Sequence, residues 1–216
     1  MKRKAVASLA AAAGVLLAAT VAAAAVITGT PGDDVLRGTE QADRISAFAG
    51  NDAIYARGGG DDVRAGVGND GVRAADGDDL AYGGRGDDTV AGGDGNDRLY
   101  GGSDADQILG GNGNDRGAGN RGADSVQGGD GNDSLFGGFG PDRVLGGSGN
   151  DELHALAPDG DPDLLNCGPG HDRAWVLRSE RPSTQLVVCE TIHLVDGTTA
   201  DQDEGENADA DTEADG

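Results

Sequence analysis

Bulk and positive charge are both scarce in this chain. Aromatic residues make up 3% of its 216 residues, with one Trp and one Met, so the large side chains that fill an ordinary globular core are missing. Lys and Arg number 16 against 39 Asp and Glu, a net charge of −23. That balance argues against nucleic acid and anionic membranes as partners and for cations, because clustered carboxylates repel one another in a compact state. The three histidines, His154, His171 and His193, are scattered, and neither His-Glu-x-x-His nor Gly-x-Ser-x-Gly occurs. Each histidine reads as a surface or end residue, and the chain is expected not to be an enzyme. Beyond the first 25 residues no apolar stretch is long enough to span a bilayer. Cysteine is limited to Cys167 and Cys189, enough for one disulfide.

What the chain has in abundance is glycine, 41 residues of it, and it is strictly spaced. Gly92-Gly93-Asp94-Gly95-Asn96-Asp97-Arg98-Leu99-Tyr100 is one copy of a nonapeptide that begins at Gly29 and runs without insertion to His154. The sixth position of every copy is aspartate: Asp34, Asp43, Asp52, Asp61, Asp70, Asp79, Asp88, Asp97, Asp106, Asp115, Asp124, Asp133, Asp142 and Asp151. Glycine holds the fourth position except at Gln41 and Asp104, and the eighth is aliphatic except at Ala81 and Gly117, which are weak. Acid pairs such as Asp78-Asp79 belong to this repeat rather than to a catalytic dyad.

Positions one to six, rich in Gly, Asn and Asp, suit a turn, because glycine takes positive φ without steric penalty. Positions seven to nine suit a short strand with the eighth side chain inward and its neighbours outward. Two turns and two strands make an eighteen-residue coil, so stacked coils give two parallel sheets facing each other, with aspartate turns along both edges. The Gly-Gly-x-Gly-x-Asp-x-aliphatic-x pattern resembles the calcium-binding repeat of the RTX (hemolysin-type) family. That resemblance implies an all-β, right-handed parallel β-roll in which calcium sits between same-edge turns two repeats apart. The fourteen aspartates would supply carboxylates and the glycine turns backbone carbonyls. Calcium's demand for six to eight oxygens in flexible geometry agrees with such turns.

Residues 1–25 read as a secretory signal peptide: Lys2, Arg3 and Lys4, then an Ala/Leu/Val run ending in Ala23-Ala24-Ala25. The mature chain is expected to begin near Val26, to be soluble, and to be secreted, either extracellular or associated with the cell surface. Without the three leading cations it carries 13 basic against 39 acidic residues, or −26. Fourteen repeats offer at most twelve same-edge pairs, hence up to +24 from calcium. The roll is expected over 26–175, about sixteen repeats, with Ala155-Leu156-Ala157 an insertion after which Asp163 and Asp172 restore the sixth position. Residues 176–195 are β-branched and poor in glycine and read as strands capping the end, while the acidic stretch 196–216 is expected to stay disordered. In an exported chain Cys167 and Cys189 are expected to form a disulfide at that cap; free thiols or a metal pair are the alternatives.

On one sheet the outward ninth positions read Ser46, Arg64, Tyr82, Tyr100, Ala118, Phe136 and His154. These form either a self-stacked ladder or a surface for a protein or glycan partner. The leading expectation is a secreted calcium-binding protein with a structural or surface-associated role that folds on binding calcium. The alternatives are an adhesive module and, third, the repeat portion of a secreted hydrolase. Two local expectations follow: Gly117 leaves the core thin, and Asp104 and Asn120 strain turns where glycine is usual.

Overall fold

The computed structural model describes residues 24–179 and 184–196. Nearly all of the expected signal peptide and the acidic tail after Asp196 therefore lie outside the described residues. Within them nineteen strands, numbered β1 to β19 in chain order, form two parallel sheets and no helix. Odd-numbered strands build a ten-stranded sheet from β1 (Val26–Thr28) to β19 (Thr191–Val195), and even-numbered strands a nine-stranded sheet from β2 (Val35–Arg37) to β18 (Gln185–Val187). Each strand pairs with the one two places on, as the eighteen-residue coil requires. In β8 (Thr89–Asp94) and β10 (Gln107–Asn112), for example, Val90 lies beside Ile108. The result is the all-β parallel β-solenoid that the periodicity predicts. At about 4.8 Å per strand, the ten-stranded sheet spans roughly 43 Å along the coil axis.

The strands are twice as long as expected. A full strand runs from the seventh position of one repeat to the third of the next, as in β8, and its burial alternates from exposed to buried to partly exposed to buried. Only positions four to six remain as the turn. The physical reason is that the Gly-Gly pair stays in the ladder, pairing Gly93 with Gly111, instead of leaving it. The consequence is a second inward row at position one, beside the aliphatic row at position eight. It reads Ala47, Ala56, Ala65 and Ala74, all fully buried, and then glycine from Gly83 to Gly146.

The core is accordingly a double file of small and medium side chains. Leu36, Ile45, Ile54, Val63, Val72, Val90, Leu99, Ile108, Val126, Leu135, Val144, Leu153 and Leu165 are buried along it. Gly117 lies between them, and its neighbours already close over it: a methyl there would meet Val126 Cγ1 at 3.0 Å, Leu135 Cδ2 at 3.3 Å and Ile108 Cγ2 at 3.4 Å. The expected thin spot is filled by its surroundings.

The three-residue insertion is absorbed without loss of register. β14 (Arg143–Ser148) pairs with β16 (Leu164–Asn166) at an offset of 21, so Val144 meets Leu165. The apolar stretch expected to close the end extends the same ladders: Leu165 pairs with Leu186, and Trp175 in β17 (Arg173–Leu177) with His193. The disulfide Cys167–Cys189 ties this last coil, with Cα atoms 5.1 Å apart. Cys167 occupies position one and is fully buried.

Candidate metal centre

The turns stack directly over one another on two edges, and the sixth-position aspartates stack with them. Asp34, Asp52, Asp70, Asp88, Asp106, Asp124 and Asp142 line one edge. Asp43, Asp61, Asp79, Asp97, Asp115, Asp133 and Asp151 line the other. From Asp43 to Asp151 each is only 1–4% exposed. The structure thus brings all fourteen predicted residues into two buried rows.

Within a row the carboxylate does two jobs. The backbone N–H of each sixth-position residue donates to Oδ1 of the aspartate one coil later: Asp88 to Asp106 at 2.8 Å, Asp97 to Asp115 at 2.8 Å, Asp115 to Asp133 at 2.8 Å. This ladder continues through Asp163 and Asp172 and ends where Asp172 N–H donates to Glu190 Oε2 at 2.8 Å. The second oxygen, Oδ2, is buried and has no hydrogen-bond partner in every sixth-position aspartate from Asp52 to Asp151. An orphaned anionic oxygen in a buried site costs several kcal/mol unless it is neutralised or coordinated. Burial accordingly pushes Asp88, Asp97, Asp124 and Asp133 up to about 7, and Asp106 and Asp142 up to about 8, against the ladder amides that pull the other way.

Backbone oxygens face the same space. At Gly92 a built Cβ would fall on Asp97 Oδ2 and also within 2.8 Å of the Gly110 carbonyl oxygen one coil on, and Gly119 repeats this with Asp124 Oδ2 and the Gly137 carbonyl at 2.6 Å. A carboxylate oxygen and a carbonyl oxygen therefore converge over a bare Cα. Among the described residues no three carboxylate, imidazole or thiolate side chains meet at one point. A cation here must draw part of its shell from the backbone, which suits a hard, oxygen-seeking ion that tolerates irregular coordination. Calcium fits this donor set. When bound, it would supply the positive charge that the paired rows lack, held by Oδ2 of the sixth-position aspartates and by turn carbonyls.

Left-handed backbone is what opens the turns, and glycine supplies it at the second position in Gly84, Gly93, Gly102, Gly111 and Gly129. Asn120 and Asp104, the two departures expected to strain one edge, do adopt positive φ, 79° and 78°. Phe48, Arg57 and Ala75 do so as well, a cost of about 1 kcal/mol or more each for a residue with a Cβ.

Three features were not read from the sequence. Thr30 and Thr39, at the second position, donate N–H bonds of 2.6 Å to Oδ2 of Asp34 and Asp43, and each hydroxyl donates to the same carboxylate. The first pair of aspartates is thereby satisfied within the chain. At position five, Asn and Asp form a second ladder in which each side-chain Oδ1 accepts the N–H of the residue one coil later. One run links Asp33, Asn51, Asn69, Asp87 and Ala105. The other links Asp78, Asn96, Asn114, Asn132, Asn150 and His171 on the opposite edge. The eighteen-residue recurrence of Asn was the available signal. The third is Glu190, the last acceptor of the aspartate ladder, which lies outside any repeat.

The outward ninth-position row stacks on itself. Tyr82 and Tyr100 lie 4.9 Å apart, Phe136 and His154 4.2 Å, and Trp175 and His193 4.1 Å, with ring planes within 15° of parallel. Arg64 covers Tyr82, and Arg116 covers Phe136 at 4.4 Å beside the gap left by Ala118. Each of these rings spends at least one face on a neighbour in the ladder.

The family model of the RTX calcium-binding nonapeptide repeat (4 copies) matches residues 28–63, 55–90, 82–117, 109–144 and 118–153. No curated protein matches the chain.

Proposed function

Since the chain belongs to the RTX calcium-binding nonapeptide repeat family, we propose that it is an exported, non-catalytic calcium-binding β-roll, ordered by calcium outside the cell, where it has a structural or surface-associated role. The observation that carries this reading is the double row of buried, unpartnered Oδ2 atoms from Asp52 to Asp151. Their compaction is unfavourable without counter-charge, and a ligand that binds only the folded state stabilises it by mass action. The low calcium of a cytoplasm and the higher calcium outside would then separate a loose chain in transit from an ordered one at its destination. The N-terminal residues 1–25 and the disulfide Cys167–Cys189 both fit an exported chain. Circular dichroism of the chain without residues 1–25, in chelator and after calcium addition, tests the proposal. Calcium should increase the β signal, and magnesium, with its strict octahedral geometry, should not replace it. An unchanged spectrum, together with no bound calcium in equilibrium dialysis, overturns it.

A further inference from the structure

We infer that calcium is confined to the middle of the roll, from Gly83 to Asp151, and that both ends are ordered without it; this rests on the calcium-binding reading above. The two inward rows distinguish three segments. At the N-terminal end, Thr30 and Thr39 already satisfy Asp34 and Asp43. In the next four repeats the first position is Ala47, Ala56, Ala65 and Ala74, fully buried. By the register of the coils, each methyl points where, in the middle repeats, Oδ2 and the carbonyl of the next coil converge on a bare glycine Cα. The alanines therefore put apolar carbon into the cradle that a cation would need. They also thicken the core, adding a second buried side chain to each coil beside Ile45, Ile54, Val63 and Val72.

From Gly83 to Gly146 all eight first positions are glycine, and at every one a Cβ would collide with Oδ2 of the sixth-position aspartate of its own repeat. The core there is also a single file, because these glycines add no second inward side chain beside Val90, Leu99, Ile108, Val126, Leu135 and Val144. From the insertion onward the second inward row continues with Ala155, Cys167 and Val176, all buried, and the disulfide takes over. Apolar bulk and covalent closure thus offset, at the two ends, the cost that the unpartnered Oδ2 of Asp52, Asp61, Asp70, Asp79 and Asp172 still carries, while the middle has an open oxygen cradle and no second inward side chain. The eight aspartates from Asp88 to Asp151 leave three same-edge intervals on each edge, six in all, against the twelve that the repeat count alone allows.

The test uses the whole chain without residues 1–25, with calcium stoichiometry from equilibrium dialysis and amide hydrogen exchange in chelator and in calcium. The expected result is about six tightly bound ions, in line with the six intervals. Protection over residues 44–76 and 164–177 should persist in chelator, and protection over 89–148 should appear only with calcium. Ala65→Gly, which turns Ala65-Gly66-Val67-Gly68-Asn69-Asp70 into the full glycine pattern beside Gly83, should add one ion. Asp115→Asn, which keeps an Oδ1 acceptor for the ladder, should remove one or two. Nine or more ions in the unaltered chain, no gain in Ala65→Gly, or calcium-dependent protection spread evenly from residue 44 onward overturns the confinement. An absence of any bound calcium instead overturns the function on which it rests.

Discussion

Acid should do part of calcium's work. In the metal-free roll Asp61, Asp88, Asp97, Asp124 and Asp133 titrate near 7, and Asp106 and Asp142 near 8, because burial penalises the charged form, whereas the free side chain titrates at 3.8. Between those pH values the folded chain holds protons that the unfolded chain has released, so stability falls as pH rises through that window and is highest below it. Water reaching the turns reduces the effect. Even if each group is raised by only one pH unit, that is ~1.4 kcal/mol per group and ~10 kcal/mol over seven, comparable to the whole stability of a domain. The metal-free chain should therefore show more β signal at about pH 5.5, still above its isoelectric point of 4.1, than at about pH 8.5. Calcium should restore the signal at the higher pH, and its binding near pH 7 should release protons, read as a dependence of calorimetric heat on the buffer's ionisation enthalpy. A metal-free chain that is as ordered at pH 8.5 as at 5.5 would refute the argument from buried carboxylates.

Three further outcomes are expected. Gly117→Val should destabilise the calcium-loaded roll by about 1–3 kcal/mol through overpacking against Val126, Leu135 and Ile108. A raised thermal midpoint would mean that these side chains can retreat. The double variant Cys167→Ser, Cys189→Ser, which opens a loop of sequence separation 22, should lose roughly 3 kcal/mol in the chain-entropy model, with hydrogen-exchange protection falling first around Leu165 and Ala174; uniform loss along all coils would contradict a local closure. Calcium titration should show a larger loss of high-affinity binding in Asp115→Ala than in Asp106→Ala. The edge of Asp115 keeps an unbroken position-five ladder from Asp78 to His171, whereas the other edge carries Asp104 and Asn120 in left-handed backbone; the reverse order would show that the extra Asp104 carboxylate outweighs that strain.

The nine-residue period by itself determined the architecture. A side chain that must point inward every nine residues, with glycine and aspartate between, suits stacked eighteen-residue coils, and the strands pair at that offset. Val90 beside Ile108 and Leu99 beside Gly117 follow from counting. The rows of Asp88 and Asp97 on opposite edges, the insertion at 155–157 and the pairing of Cys167 with Cys189 were legible for the same reason: each depends on spacing along the chain. Tertiary structure alone decided how the oxygens are used. A single repeat cannot reveal that Asp106 spends Oδ1 on the amide of Asp88 and keeps Oδ2 free, because the donor lies eighteen residues away. Nor can it show that position one faces inward. The strand had to continue through the Gly-Gly pair before Gly83 and Gly110 became neighbours of a carboxylate rather than parts of a loop. Period fixes which residues share an edge, but the direction of each backbone N–H and carbonyl is set only when one coil closes upon the next.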